Sequence, residues 1–239
     1  MSNNYINVAS PSYPSTRMRR NRQTNWSRRL IEENRLSVND LILPIFITDG
    51  DKKTVINSMP GVYRTPITQI IETVQEAKEL GIPAIALFPE TNTTLKDEKG
   101  SEALNEENLV CRTTNLIKKN IKNIGIITDV ALDPYTNHGH DGLLKDNEIL
   151  NDESIEILCK QAVIQAKAGS DIIAPSDMMD GRIGLIRKEL DKNGFKNTQI
   201  MSYAAKYASC FYGPFRNAIG SELNISKKSK KSYQMDYSN

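Results

Sequence analysis

Residues 201–216, MSYAAKYASCFYGPFR, contain a lysine in surroundings that favour covalent chemistry. Lys206 follows a short apolar run and several small residues, and aromatic residues come after it. Burial there would lower the pKa of the amine, and a neutral lysine amine can form a Schiff base with a ketone or an aldehyde. Spacing alone also fits a solvated surface lysine. At this point Lys206 is a candidate nucleophile, with the surface role as its alternative.

Polar residues follow two other apolar runs in the same way. Asp133 and Asp141 lie in DVALDPYTNHGHDG, and Ser176 and Asp177 lie in APSDMMDGR. Carboxylates at such positions can bind an amine, relay a proton or hold a hard cation. A polar turn and a helix N-cap are their structural interpretations. The residues therefore predict a site only if the fold brings them together.

Short apolar runs alternate with longer amphipathic segments, which is the pattern of elements that could position these residues. Runs that are apolar on both faces are typical of parallel strands covered by helices, and glycines occur where the helices should end. The pattern predicts an α/β fold with a parallel sheet, either an open doubly wound sheet or a closed barrel, in which strand ends share one edge. No glycine-rich phosphate loop follows the first strand, which disfavours a dinucleotide-binding fold. Strands are predicted near 41–48, 83–88, 124–132, 171–176 and 199–203, and helices near 68–80, 106–119, 152–168 and 182–193.

The composition is that of an ordinary globular protein. The chain has 239 residues, of which 38% are hydrophobic and 25% charged, and its net charge is +2. These values give no global reason to expect nucleic-acid binding, although a basic N-terminal arm leaves it as a minor alternative. The three cysteines are far apart and predict no disulfide framework. No apolar run approaches the roughly 20 residues that span a bilayer, so we expect a cytoplasmic protein without membrane contact.

The sixteen residues around Lys206 closely resemble the Schiff-base lysine motif of the porphobilinogen synthase family, also called delta-aminolevulinic acid dehydratase. The stretches MPGVYR, DVALDPYTNHGHDG, APSDMMDGR and KKSYQMD resemble the same family in the same order, so the resemblance covers essentially the whole chain. It implies a TIM-type (β/α)8 barrel, of which about the first five βα units are present. Residues 1–36 would form an arm for subunit contacts, and residues 37–239 an incomplete barrel with an active-site lid at 213–232. Family members are typically homo-octamers.

The resemblance also implies a reaction and a role for each matching residue. Family enzymes are hydro-lyases that condense two 5-aminolevulinate molecules to porphobilinogen with loss of water, in haem and tetrapyrrole biosynthesis. By that resemblance the catalytic residues are Lys206, Asp133 and Asp177. The substrate-binding residues are Arg216, Lys230, Ser176, Asp141 and Gln234.

The aspartates bear on the metal requirement. Zinc-dependent members of the family have cysteines where this chain has Ala131, Asp133 and Asp141. Without a thiolate, a tetrahedral zinc site is disfavoured. The chain resembles the aspartate-rich, magnesium-responsive branch, so magnesium remains open as an activating or allosteric ion, and no residue is assigned as a metal ligand. We expect loop hydrogen bonds from the two histidines, His138 and His140.

The resemblance ends at KKSYQMD, whereas family chains continue with further barrel strands and a second Schiff-base lysine. We therefore expect a C-terminally incomplete sequence, cut in a normal reading frame, that forms no porphobilinogen when expressed alone. The alternative is an inactive shortened paralogue that binds full-length subunits and regulates them. An unrelated Schiff-base aldolase is disfavoured by the lid and aspartate motifs. The coding sequence after Asn239 would distinguish a fragment from a paralogue.

Overall fold

The structure is a computed structural model that describes residues 12–220 and 229–238. The chain divides into two compact units, Met1–Ser37 and Val38–Asn239. The described part of the first unit has a 3-10 turn, Met18–Arg22, and a six-residue helix α1, Asn25–Leu30. Thr24 caps α1 by accepting a hydrogen bond from the backbone N–H of Ser27. Nearly all of its described side chains are exposed, as expected for an arm without a core of its own.

The second unit is built on a seven-stranded sheet in the order β2-β3-β1-β4-β5-β8-β9. Strand β2 is antiparallel to β3, and the other neighbouring strands are parallel. A separate antiparallel hairpin is formed by β6 and β7. The strands are β1 Ile42–Thr48, β2 Thr54–Val55, β3 Tyr63–Pro66, β4 Ala84–Glu90, β5 Gly125–Val130, β6 Leu143–Lys145, β7 Glu148–Leu150, β8 Ile172–Pro175 and β9 Gln199–Ile200.

Four helices follow the parallel strands and cover one face of the sheet. They are α2 Ile70–Glu79, α3 Leu109–Asn120, α4 Asn151–Ala168 and α5 Arg182–Lys192. A fifth helix, α6 Gly213–Ala218, packs instead against Phe46 and Phe88, which point to the other face. Alternate side chains of β1, β4 and β5 pack against α2 and α3, while β5 and β8 pack against α4 and α5. Helix α4 ends at Gly169, whose φ of 109° is accessible to glycine at little cost. The predicted α/β fold with a parallel sheet is confirmed, and it consists of four strand-helix units followed by a fifth strand, β9.

The opposite face of the sheet is concave and largely apolar. The other alternate side chains of the parallel strands line a cavity of about 250 Å³ there, together with Asp129. Among the described strands, β2 and β9 do not pair with each other, so the sheet does not close into a barrel. This face corresponds to the interior of the predicted barrel and is open on the side of β9.

Two features differ from the sequence prediction. The β6–β7 hairpin falls within a segment predicted as loop, and it turns through Asp146 and Asn147, both at positive φ. Asp and Asn tolerate that conformation, so the turn was recognisable in principle. Strand β9 is shorter than predicted because only Gln199 and Ile200 pair with β8. In the described ranges, no helix combines the length and the apolar character needed to cross a membrane.

Candidate active site

The predicted site residues lie after the carboxyl ends of three neighbouring strands. Asp133 and Asp141 belong to the loop after β5, Ser176 and Asp177 follow β8, and Lys206 follows β9. Because parallel strands end at one edge of the sheet, residues far apart in sequence meet there. The structure therefore confirms that these polar residues converge at one edge.

Lys206 is buried and in contact with both of the other strand ends. Its side chain is 13% exposed, and its Nζ lies 3.5 Å from Oδ1 of Asp141. The same Nζ donates a hydrogen bond to the backbone carbonyl of Ser176 at 2.9 Å. These contacts exclude the interpretation of Lys206 as a solvated surface lysine.

The prediction that burial leaves the Lys206 amine neutral is wrong for this structure. Burial does lower the pKa of Lys206, but the carboxylates of Asp141, Asp133 and Asp129 outweigh it and raise the pKa above its ordinary value. The residues next to Lys206 in sequence are apolar, whereas these carboxylates belong to β5 and the loop after it and reach Lys206 only in the folded chain. The amine is therefore an ammonium group at rest and must lose a proton before it can attack a carbonyl carbon.

Lys230 joins the two predicted aspartates. Its Nζ lies 3.2 Å from Oδ2 of Asp133 and 2.8 Å from Oδ2 of Asp141. All three side chains are at most 5% exposed. One buried cation thus serves two buried carboxylates, an arrangement in which each charge depends on the others.

Two tyrosines that the sequence analysis did not single out complete this cluster. Tyr212 donates its hydroxyl to Oδ2 of Asp133 at 2.9 Å, and Tyr233 donates to Oδ2 of Asp141 at 2.7 Å. The ring of Tyr212 also faces three cations, Lys206, Lys230 and Arg216, at 4.7 to 5.3 Å from the ring centroid. A cation is attracted to the face of an aromatic ring, so Tyr212 helps to hold the three side chains together. Tyr212 and Tyr233 lie inside the motifs FYGPFR and KKSYQMD, which was the available signal.

The carboxylates of the site have different pKa values. Burial raises the pKa of Asp141, but Lys206, Lys230 and the hydroxyl of Tyr233 more than reverse this effect and hold it well below the ordinary value. Burial raises the pKa of Asp129 to about 7, with a smaller opposing effect from Lys206. The sequence analysis assigns no role to Asp129. Its pKa makes it able to take up and release a proton near neutral pH.

Asp177 is a second carboxylate whose pKa is raised to near neutrality. Burial raises its pKa to about 7, against the hydrogen bond from the backbone N–H of Met179 and the charge of Arg182. The Met179 N–H donates to Oδ1 at 2.7 Å, and Nε of Arg182 lies 3.4 Å from Oδ2. The contact with Met179 is a turn within the loop, and α5 begins at Arg182 with Gly181 as its N-cap, so the interpretation of Asp177 as a helix N-cap is wrong. Asp177 remains a candidate proton carrier.

Three predicted substrate-binding residues line one small cavity. Arg216, Lys230 and Gln234 surround a volume of about 300 Å³, together with Cys210, Lys231 and neighbouring backbone. Gln234 is 6% exposed, and its Nε2 has no hydrogen-bond partner among the residues the structure describes. The lining offers cationic and amide donors suited to a carboxylate. Residues 221–228 of the predicted lid lie outside the described ranges.

The histidines and the carboxylates give no metal site in the described ranges. His138 Nε2 lies 3.3 Å from the carbonyl of Glu98, and His140 Nδ1 lies 3.2 Å from the hydroxyl of Tyr233, so the expected loop hydrogen bonds are confirmed. Within residues 12–220 and 229–238, no three His, Cys, Asp or Glu side chains are grouped as metal ligands. Between Asp133 and Asp141, the ammonium of Lys230 occupies the position that a cation would need.

Comparison with known proteins identifies what this chain resembles. The profile of the family described as delta-aminolevulinic acid dehydratase matches residues 15–239. The delta-aminolevulinic acid dehydratase of Bradyrhizobium diazoefficiens is 54% identical over 234 residues, covering 97% of this chain and 66% of that protein. The chloroplastic enzyme 1 of Arabidopsis thaliana is 46% identical over 234 residues, covering 97% of this chain and 54% of that protein.

A solved structure agrees with these sequence matches. The crystal structure of delta-aminolevulinic acid dehydratase (porphobilinogen synthase) from Toxoplasma gondii, in complex with the reaction product porphobilinogen, superposes with a TM-score of 0.89 at 42% identity. The match covers 94% of this chain and 64% of that one. The chain thus spans 54% to 66% of the length of these three proteins.

Proposed function

The chain belongs to the delta-aminolevulinic acid dehydratase family, and on that premise we propose that it acts in porphobilinogen synthesis. The proposed reaction condenses two 5-aminolevulinate molecules with loss of water, through lysine Schiff bases, in haem and tetrapyrrole biosynthesis. The observation that carries the proposal is the buried amine of Lys206, 3.5 Å from Asp141 at the edge where the strands end. A cavity lined by Arg216, Lys230 and Gln234 supports it.

Lys206 supplies the nucleophile of the proposed reaction. After loss of a proton, its nitrogen attacks the ketone carbon of 5-aminolevulinate and forms a C–N bond, while the C–O bond breaks. One hydrogen of the neutral amine and the proton returned by the acceptor leave with the ketone oxygen as water, so the nitrogen keeps one hydrogen and becomes an iminium. The surrounding carboxylates favour the ammonium form at rest, so the reaction needs a nearby proton acceptor.

Asp129 and Asp177 are suited to that proton transfer because the pKa of each lies near 7. Asp141 is suited to a different role, since its low pKa keeps it anionic beside the nitrogen that becomes an iminium. Asp133 accepts from Tyr212 and Lys230, which keeps a second negative charge next to the substrate amine. The backbone carbonyl of Ser176 orients the Lys206 amine before attack.

The cationic cavity is proposed to bind the carboxylate of the substrate. Arg216 presents a planar guanidinium, and Gln234 lines the same volume and has a buried amide donor without a partner among the described residues. A carboxylate there would accept several charge-assisted hydrogen bonds, which position the ketone for attack. The Lys230 ammonium would then contact Asp133, Asp141 and the substrate at once.

Magnesium activation and subunit assembly are proposed from the family resemblance alone. The carboxylates of Asp133 and Asp141 do not fit a bound magnesium ion, because the tethered ammonium of Lys230 already lies 3.2 Å from one and 2.8 Å from the other. If magnesium activates the enzyme, as the aspartate-rich branch suggests, we propose that it binds elsewhere. We also propose a homo-oligomer, as is typical of the family. Cytoplasmic localisation stays a prediction, since the Arabidopsis relative is named as chloroplastic.

Reductive trapping tests the proposal directly. Protein expressed from the complete coding region is incubated with 5-aminolevulinate and borohydride, digested, and analysed by mass spectrometry. We expect one reduced substrate adduct on Lys206, because borohydride converts a Schiff base to a stable secondary amine. Exposed Lys119 serves as the internal control and should carry none. The proposal fails if the Lys206 peptide stays unmodified while the protein is folded.

A second prediction concerns a polypeptide restricted to these 239 residues. We expect no detectable porphobilinogen from it, because its concave sheet face is open and the family's second Schiff-base lysine is not among its residues. The measurement is colorimetric product formation by purified material. Clear turnover would contradict the prediction. A shortened regulatory paralogue would also be inactive, but it would bind full-length subunits in a pull-down, and its coding region would stop after Asn239.

A further inference from the structure

The two oxygens of the Asp141 carboxylate have different surroundings. Oδ2 accepts hydrogen bonds from the hydroxyl of Tyr233 at 2.7 Å and is 2.8 Å from Nζ of Lys230. Oδ1 accepts no hydrogen bond from the described residues and lies 3.5 Å from Nζ of Lys206. The Asp141 carboxylate is completely buried, so its two oxygens are shielded from solvent and keep their different surroundings. One oxygen is therefore anchored and the other is directed at the reactive nitrogen.

Tyr233 is itself held in one position. Its hydroxyl oxygen accepts a hydrogen bond from the backbone N–H of Asp141 at 3.4 Å, and Nδ1 of His140 lies 3.2 Å away. Its backbone N–H donates to the carbonyl of Lys230 at 3.2 Å, and its ring packs against the core formed with α4. A tyrosine has one hydroxyl hydrogen, and here that hydrogen points to Oδ2 of Asp141. The residue thus contacts both the backbone and the side chain of Asp141.

We propose that Tyr233 is a positioning residue for Lys206: by occupying Oδ2 of Asp141, it directs Oδ1 to the nitrogen that carries positive charge in the Schiff base. This inference rests on the proposed function, in which Lys206 forms that Schiff base. The iminium forms in the same place as the resting ammonium, so a fixed anion there stabilises the charge without reorganising. A rotated carboxylate would leave the iminium without its nearest counter-charge.

Tyr233 is one of several groups that set the pKa of Asp141. The hydroxyl is a hydrogen-bond donor to the ionised form of Asp141, so its loss should raise the pKa of that carboxyl while Lys206 and Lys230 still lower it. Among the described residues, the other titratable groups that interact with Asp141 are His140, Asp129, Asp177 and Tyr212, and Asp133 shares Lys230 with it. Of these, His140 also loses a contact when the hydroxyl is replaced with hydrogen, because its Nδ1 lies 3.2 Å from that hydroxyl.

The test compares Tyr233→Phe with Tyr63→Phe, an exposed tyrosine on β3, in protein from the complete coding region. Both changes remove one hydroxyl and keep the ring. The initial rate of borohydride-trapped adduct on Lys206 is measured against 5-aminolevulinate concentration and pH. For Tyr233→Phe we expect the saturated rate to fall roughly tenfold, the scale of one hydrogen bond to a charged group, with the half-saturating concentration unchanged. The loss of rate on the acid side should begin at higher pH. Tyr63→Phe should match the unsubstituted protein.

Three results would overturn the inference. Equal rates and equal pH profiles for Tyr233→Phe and the unsubstituted protein would show that the hydroxyl does not act on Lys206. A smaller amplitude with an unmoved pH profile would assign Tyr233 a structural role only. No adduct in the unsubstituted protein would remove the proposed function, and the inference with it. The first two results leave the proposed function standing, so the failures are distinguishable.

Discussion

In protein from the complete coding region, replacing Lys206 with methionine is expected to remove the trapped 5-aminolevulinate adduct from the peptide that contains residue 206 and to lower porphobilinogen formation by at least about 10³-fold, as expected for loss of a covalent nucleophile. Methionine keeps an unbranched apolar stem of similar size, so the packing beneath Tyr212 changes little. The amine is lost, and Lys230, the other described lysine of this cluster, is not placed to replace it, because its Nζ is engaged by Asp133 and Asp141. Mass spectrometry after borohydride treatment and colorimetric product formation are the measurements.

The matched control is Lys119→Met, which removes an exposed lysine of α3. Surface changes of this kind usually alter stability by less than about 0.5 kcal/mol, and we expect full activity. An unchanged rate of porphobilinogen formation by Lys206→Met would show that the nucleophile was assigned wrongly. Loss of activity in both variants would point to a general folding defect.

Lys206→Met should also change the carboxylates around it. The ammonium lowers the pKa of both Asp141 and Asp129, so its removal should raise both. A carboxyl whose folded-state pKa is depressed contributes stability above its unfolded pKa and loses it as the pH falls through the folded value. For Asp141 that contribution becomes smaller in the variant. The difference in unfolding free energy between the unsubstituted protein and Lys206→Met should therefore be largest at neutral pH and smaller in acid.

Much of the fold follows from the sequence because the parallel strands are apolar on both faces. The runs at β1, β4, β5 and β8 were predicted within a few residues, since a strand covered by helices needs no alternation. The placement of Lys206 and the aspartates at one edge followed from the order of strands and helices. That step required no knowledge of side-chain contacts.

The charge state of the site was not predictable in the same way. Lys206 is surrounded by carboxylates that precede it by at least 65 residues in sequence, and Tyr233 meets Asp141 across 92 residues. Local sequence shows apolar neighbours around Lys206, which suggests a lowered pKa, whereas the folded site raises it. Long-range electrostatics depends on which loops meet, and that is fixed only by the tertiary structure.

Replacing Lys230 with methionine is expected to destabilise the protein by ~3–5 kcal/mol at neutral pH, the cost of removing one partner from a buried ion pair. Lys230 is 5% exposed and contacts Asp133 and Asp141, which are 3% and 0% exposed. Without the ammonium, two buried carboxylates repel each other and are left with the hydroxyls of Tyr212 and Tyr233 and the more distant charge of Lys206. Urea unfolding of protein from the complete coding region is the measurement.

The pH dependence separates this explanation from a loss of packing. Lys230 lowers the pKa of Asp141, so its removal raises that pKa, and protonation then relieves the unpaired charge as the pH falls. The difference in unfolding free energy between the unsubstituted protein and Lys230→Met should therefore shrink in acid. Lys231→Met is the control, because it removes the same charge from an exposed neighbouring residue and leaves no buried carboxylate without its partner. A destabilisation that is independent of pH, or equal in both variants, would mean that the stem of Lys230 contributes by packing and that its charge is not what holds the two aspartates.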